Sequence, residues 1–292
     1  MKPIIKWVGG KTQILGKVLH SFPKEMTNYH ELFVGGGSVL LSLLSSKDIT
    51  VKGKVYAYDK NQKLINMYRQ IQTNPKEVHE HLVDLFTKYD TRTGTEVNRK
   101  PENEEEGMTS KESYYYWVRK MHNEFIPNTP IHAAIFIFLN KTCFRGVYRE
   151  GPNGFNVPYG HYKTTPLVIP LEDLVKMQNL IKNVIFKWCD FRAAFAQTVN
   201  DGDFIYADPP YAPLSVKSFV GYTRDGFGMD DHTDLFYLLK STDIDFVMSN
   251  AKVNIVTSIF KDYKIEDIIA RRSIHSKDPS SYTTEVLISN IY

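Results

Sequence analysis

The chain has 292 residues, 42% hydrophobic and 24% charged, enough for a globular protein with one large core or a core and a second lobe. Its formal net charge of +3 is mild, so nucleic-acid binding would rest on local clustering and not on an overall polycation. Apolar runs such as Ala133 to Leu139 are far short of bilayer length, the start lacks a signal-peptide core, and Cys143 with Cys189 are too few for a metal cluster or disulfide framework. The expectation is an intracellular, unsecreted protein with no membrane contact, no metal and two free thiols.

In chain order, Lys6-Trp-Val-Gly-Gly-Lys11 sets two cations, a large ring and a flexible glycine pair before an amphipathic run through Ile14, Leu15, Val18 and Leu19. On the residues alone this is either a ligand seat or an irregular lead-in to a helix. Tyr29 to Val34 has strand character, Gly35-Gly36-Gly37 follows, and Ser38 to Leu44 is an apolar helical run. Glycines between strand and helix let a ligand approach the backbone closely. No third glycine follows Gly37 at the spacing of a dinucleotide fingerprint, which disfavours a nicotinamide cofactor. Lys54 to Asp59 is a second strand ending in an acid, placed where nucleoside-binding α/β folds hold ribose hydroxyls. Asp59 reads equally as the cap of a helix from Gln62 to Gln72. Helices are then expected around Val78 to Phe86, Tyr114 to Met121 and Ala133 to Leu139. Arg92 to Gly107, with its Glu104-Glu105-Glu106 run, is expected to be a structureless solvated loop.

Within Thr142 to Lys163, Gly151-Pro-Asn-Gly154 marks the tip of a hairpin. Arg145, Arg149, His161 and Lys163 are interleaved there with Phe144, Tyr148, Phe155, Tyr159 and Tyr162. Cations suit phosphates and guanine edges, and rings can wedge between bases; a structural hairpin with satisfied surface charges fits the composition as well. After a helix near Leu171 to Ile181, strands are expected at Val184 to Asp190, Asp203 to Asp208 and Phe246 to Asn250. Ile265 to Ala270 and Val286 to Tyr292 suit the antiparallel end of a mixed sheet. In Ile205-Tyr-Ala-Asp-Pro-Pro-Tyr211 the two prolines stop a strand and leave an acceptor-rich corner. Asp208 adds a carboxylate and Tyr211 a ring face, which suits a planar group bearing an amine. A strand-ending turn with a capping Asp is the plainer reading.

Taken in order, Lys-Trp-Val-Gly-Gly-Lys at 6–11, Glu-Leu-Phe-Val-Gly-Gly-Gly at 31–37, Phe-Asn-Val-Pro-Tyr-Gly at 155–160 and Asp-Pro-Pro-Tyr at 208–211 resemble the Dam-type DNA adenine-N6 methyltransferases. The four motifs span nearly the whole chain. The resemblance implies an α/β class fold, a Rossmann-like methyltransferase mixed sheet with an inserted helical target-recognition domain. Residues 1–61 and 184–292 would form the catalytic domain, and 62–183 the insertion, with a DNA-reading β-hairpin at 144–162. It implies S-adenosyl-L-methionine as cofactor and S-adenosyl-L-homocysteine as product. The cofactor positions are Trp7, Lys11, Phe33, Gly35, Gly36, Gly37, Asp59, Asp190, Phe191 and Asp208. Double-stranded DNA would meet Lys11, Arg145, Val147, Tyr148, Arg149, Tyr162 and Lys163.

Asp208, Pro209, Pro210 and Tyr211 then become the catalytic corner. The adenine N6 lone pair is delocalised into the ring, so acceptors at Asp208 and the Pro209 carbonyl would take its two hydrogens while Tyr211 stacks on a flipped base. Family members commonly read Asn-Gly-Leu-x-Arg where this chain has Arg145-Gly146-Val147-Tyr148-Arg149, so GATC and another short palindrome such as CATG both stay open. The expected setting is a monomer in a restriction-modification system, with a cognate restriction endonuclease as partner. An amino-methyltransferase of RNA or protein glutamine, and a DNA-binding module without catalysis, are the alternatives. The arginine-bearing hairpin favours duplex DNA, and intact Gly35–Gly37 and Asp208–Tyr211 favour an enzyme.

Overall fold

The computed structural model of the chain describes residues 1–124, 128–198, 201–212, 226–271 and 282–291. It divides into two compact units, Lys11–Lys60 with Asn183–Tyr292, and Met1–Gly10 with Asn61–Lys182.

The first unit is organised by a seven-stranded sheet. Its strands are β1 (Tyr29–Glu31), β2 (Val55–Asp59), β3 (Val184–Trp188), β4 (Phe204–Ala207), β5 (Asp245–Ala251), β6 (Lys264–Arg271) and β7 (Tyr282–Ser289). They lie in the order β3-β2-β1-β4-β5-β7-β6. Pairing is parallel from β3 to β5, and β7 enters antiparallel between β5 and β6. This is the mixed sheet that the sequence pattern implies. All four residues of β4 are buried, as a central parallel strand covered on both faces requires. Helix Met229–Lys240 follows β4 in the chain and packs Leu235, Phe236 and Leu239 into a core with Ile205, Phe246, Met248 and Phe260. Because chain order reverses between β1 and β4, their carboxyl ends open onto the crevice where open α/β sheets take ligands. β1 is shorter than its apolar run, but Leu32 and Val34 still donate across to the Tyr206 and Tyr58 carbonyls at 3.0 and 2.8 Å. Tyr292, placed in the last strand by its sequence pattern, lies outside the described residues.

The second unit is helical. Pro130–Thr142 is buried along most of its length, so it is the element on which the others gather. Thr129 caps its start and Pro130 occupies the first turn, where a missing N–H costs nothing. Phe86, Tyr89 and Tyr114 pack edge-on against Phe138 at 4.9, 5.6 and 5.9 Å, in the T-shaped geometry that aromatic quadrupoles prefer. Arg92–Gly107 departs from the structureless loop expected of it. Glu104–Gly107 is a short helix whose cap, Asn103, accepts from the Glu106 N–H at 2.9 Å. Glu106 itself accepts from the Asn98 side chain and the Glu102 N–H. Polar side chains spend themselves on neighbouring backbone here, which composition reads as solvation.

Candidate active site

Glu31 and Asp59 end β1 and β2, and Asp208 and Asp190 follow the ends of β4 and β3 by one and two residues, so four acids stand at the carboxyl ends of neighbouring parallel strands. β4 stops at Asp208 because Pro209 and Pro210 cannot continue a ladder. Asp208 Oδ2 lies 2.7 Å from Lys11 Nζ, with Lys11 only 3% exposed and Asp208 19%. Among the described residues, Asp208 Oδ1 is buried with no hydrogen-bond partner. Burial pushes the Asp208 carboxyl above its ordinary value, and Lys11 opposes that rise. The Lys11 N–H donates to Ser38 Oγ at 3.1 Å. Tyr211 donates its hydroxyl to Glu285 Oε2 at 2.7 Å, and Lys11 Nζ sits 4.8 Å from its ring centre. The Ala212 N–H is held by Asn250 Oδ1 at 3.1 Å, so the chain leaving the prolines is anchored to β5. Pro209 is buried and Pro210 exposed.

Glu31, part of the Glu-Leu-Phe-Val-Gly-Gly-Gly motif, is a further candidate that the sequence does not single out. It is 2% exposed and accepts from the Tyr29 hydroxyl at 2.7 Å. Burial raises its carboxyl to about 8; Tyr29 works against this, and the Asp208 charge adds to it. At neutral pH it is therefore a neutral acid within the field of Asp208. The available signal was an acid inside a short buried strand just before the glycines.

Gly35 and Gly37 have φ of 46° and 72°, a region that favours glycine, and Gly37 opens helix Ser38–Leu44. The Gly35 N–H donates to Asp59 Oδ2 at 3.0 Å. The helix after β2 is capped by Asn61, which accepts from the Leu64 N–H, so Asp59 is not that cap. Phe33 and Phe191 stand with ring centres 5.7 Å apart. Asp190 caps the short helix that begins with Phe191. The unit thus brings together Lys11, Asp208 and Tyr211, then Gly35 and Asp59, then Phe33, Phe191 and Asp190. Gly36, between the two left-handed glycines, is half-buried.

The helical unit holds the remaining candidates. Trp7, expected among the cofactor residues, stacks on Tyr148 at 5.4 Å and Phe136 at 6.3 Å. Asn140 accepts from the Lys6 N–H and donates to the Lys6 carbonyl, both at 2.8 Å, and reaches the Gly146 carbonyl. Of the expected hairpin only the tip forms paired strands, Glu150 with Phe155 and Gly151 with Gly154, and a single antiparallel bridge joins Cys143 to Tyr159. Arg145 is exposed and left-handed, with φ of 57°, and its guanidinium lies 5.1 Å from the Phe144 ring centre. Val147 is half-buried. Arg149 is exposed, its Nε held by Asn156 Oδ1 at 2.7 Å. Tyr162 donates to the Cys143 carbonyl, and Lys163 is exposed.

Among the described residues no group of three or more His, Cys, Asp or Glu could hold a metal ion, and no helix is long and apolar enough to cross a membrane. A family model described as D12 class N6 adenine-specific DNA methyltransferase matches residues 7–274. The chain is 32% identical over 301 residues to the Type II methyltransferase M1.LlaDCHI of Lactococcus lactis subsp. cremoris, covering 99% of this chain and 95% of that one. It is 33% identical over 290 residues to the Type II methyltransferase M.MjaIII of Methanocaldococcus jannaschii, covering 95% and 94%. To the DNA adenine methylase of Haemophilus influenzae it is 28% identical over 295 residues, covering 99% and 93%.

Proposed function

The chain belongs to the D12 class of N6 adenine-specific DNA methyltransferases, and from that premise we propose that it carries a methyl group from S-adenosylmethionine to N6 of an adenine turned out of a short duplex site. The observation that carries the reading is Asp208, tied to Lys11 through one oxygen and holding at the other a buried acceptor with no partner among the described residues. A buried acceptor without a donor costs about 1–3 kcal/mol, and an amine hydrogen would remove that cost.

The sheet unit also suits the cofactor. Asp59 and Asp190 offer acceptors at successive strand ends, Phe33 and Phe191 offer ring faces, and Gly35–Gly37 lets an amino-acid end approach the backbone. When bound, the cofactor supplies an electrophilic methyl on a sulfonium. The chain's own contribution is to make N6 a nucleophile. Asp208 Oδ1 accepts one N6 hydrogen, which returns electron density from the ring to the nitrogen. Lys11 opposes the rise that burial imposes on the Asp208 carboxyl, and Glu285 fixes the Tyr211 hydroxyl so that its ring is held for stacking. In the helical unit, Arg145, Val147, Tyr148, Arg149, Tyr162 and Lys163 are the proposed DNA-facing residues. A type II restriction-modification setting, as the names of the first two relatives suggest, is the proposed context.

The test is to incubate the protein with labelled S-adenosylmethionine and duplexes carrying GATC, CATG or no adenine, and to map modified bases by single-molecule sequencing. N6-methyladenine confined to one short palindrome is expected. Asp208→Asn should then lose about 10²–10³ in turnover, the usual effect of removing one hydrogen-bonding group that acts in the transition state. Label transferred to RNA or protein offered in parallel reactions and not to the duplexes, or an Asp208→Asn enzyme of near-normal turnover, overturns the reading.

A further inference from the structure

Arg192 belongs to no motif named above, yet its guanidinium meets three carboxylates. Nη1 lies 3.1 Å from Asp190 Oδ1, Nη2 2.8 Å from Asp231 Oδ1, and Nε 2.7 Å from Asp234 Oδ2. The Arg192 backbone N–H donates to the same Asp190 oxygen at 3.0 Å, and the guanidinium lies 4.4 Å from the Phe191 ring centre. Asp231 uses its second oxygen on the Gly228 N–H at 2.8 Å. Although burial raises the Asp231 carboxyl, Gly228 and Arg192 hold it below its ordinary value. Phe227, directly before that turn, places its ring 5.6 Å from Phe33 and 5.5 Å from Phe191. One guanidinium and one ring therefore tie the start of helix Met229–Lys240 to the residues after β1 and β3.

The effect on Asp190 is specific. Both donors from Arg192 go to Oδ1, and Oδ2 has no hydrogen-bond partner among the described residues. A carboxylate with two donors fixed on one oxygen cannot rotate freely, so its other oxygen is held for one direction of approach. The planar fork of arginine makes this possible, since a lysine presents one point charge that cannot serve three acceptors in fixed geometry.

We infer that Arg192 is a positioning residue for the nucleoside end of the cofactor, locking Asp190 so that Oδ2 accepts from the exocyclic amine of adenine. The inference rests on the proposed placing of S-adenosylmethionine against Asp190 and Phe191. A purely structural ion network would join the same helices but would not care which base was bound.

Calorimetry on the full chain separates the two, using S-adenosylhomocysteine and its deamino analogue, in which hydrogen replaces the adenine amine. The unsubstituted protein is expected to prefer the amine by about tenfold or more, as a charge-assisted hydrogen bond would give. Arg192→Met should cut that preference to no more than about threefold while leaving affinity for the deamino analogue within about twofold. Arg192→Lys should recover only part of the preference, and Asp234→Asn, at the outer edge of the network, should give an intermediate loss with the fold kept. Equal weakening of both ligands by Arg192→Met and Asp234→Asn, or an unchanged preference in them, overturns the inference. Asp190→Ala distinguishes the underlying reading: if the amine is still preferred there, Asp190 is not its acceptor and the cofactor placement fails too.

Discussion

Lys11 and Asp208 would each be costly to bury alone, and the pair persists because each offsets the other's desolvation. Removing the cation leaves an uncompensated carboxylate whose proton affinity rises. Lys11→Met should therefore move the acidic limb of the pH–rate profile to higher pH, with activity lost at neutrality and partly regained in alkali, whereas Lys11→Arg should keep most of the original profile. A uniform loss at every pH would show that Lys11 acts on substrate and not on Asp208. Glu31 gives a matching effect on stability. Folded, it holds its proton to about 8; unfolded, it releases it near the ordinary carboxyl value. Between those pH values the native state binds the extra proton, so this group's contribution to stability falls as pH rises and levels off above about 8. Glu31→Gln removes that slope. The Tm of the variant minus that of the unsubstituted protein should climb from pH 5 to 8 and then flatten, by roughly 2–4 °C for each kcal/mol.

At the scale of elements, local chemistry is legible wherever backbone restriction decides the outcome. The Pro209-Pro210 stop, the left-handed turn at Gly35 and Gly37 and the Pro152-Asn153 hairpin tip follow from allowed φ values and missing donors. What that chemistry does not set is how far pairing runs: the hairpin holds two residues a side, and Asn123 serves Phe155 in place of a longer ladder, bonding both its N–H and its carbonyl. On this short hairpin Asn156 pre-orients Arg149, which lowers the ordering cost of a base contact. Arg149→Ala should reduce preference for the methylated site over one-base variants by about tenfold or more. Weakened binding to all sequences alike, with the ranking intact in a competition assay, would make Arg149 a phosphate anchor.

At the scale of the whole molecule, the first ten residues decide where a boundary falls. Their Lys-Trp-Val-Gly-Gly-Lys motif is expected to belong with the catalytic sheet. In the structure that motif is divided: Lys6 and Trp7 pack with Asn140, Phe136 and Tyr148, and Lys11 packs with Ser38 and Asp208. Trp7→Ala should raise hydrogen exchange in Pro130–Thr142 and around Tyr148 while leaving β4 and β5 protected. Exchange rising in the sheet instead would place Trp7 with the catalytic unit.

By itself the sequence determined the strand, glycine turn and helix succession, the stop at Asp208 and the hairpin tip, because each depends on the φ, ψ and donor count of a few adjacent residues. Its four ordered motifs also carried the family, since together they span nearly the whole chain. Only the tertiary structure decided that Asp208 is paired with Lys11, that Glu31 is a neutral acid and that Arg192 gathers three carboxylates. Those properties come from desolvation and from partners far apart in the chain, and a one-dimensional pattern holds neither.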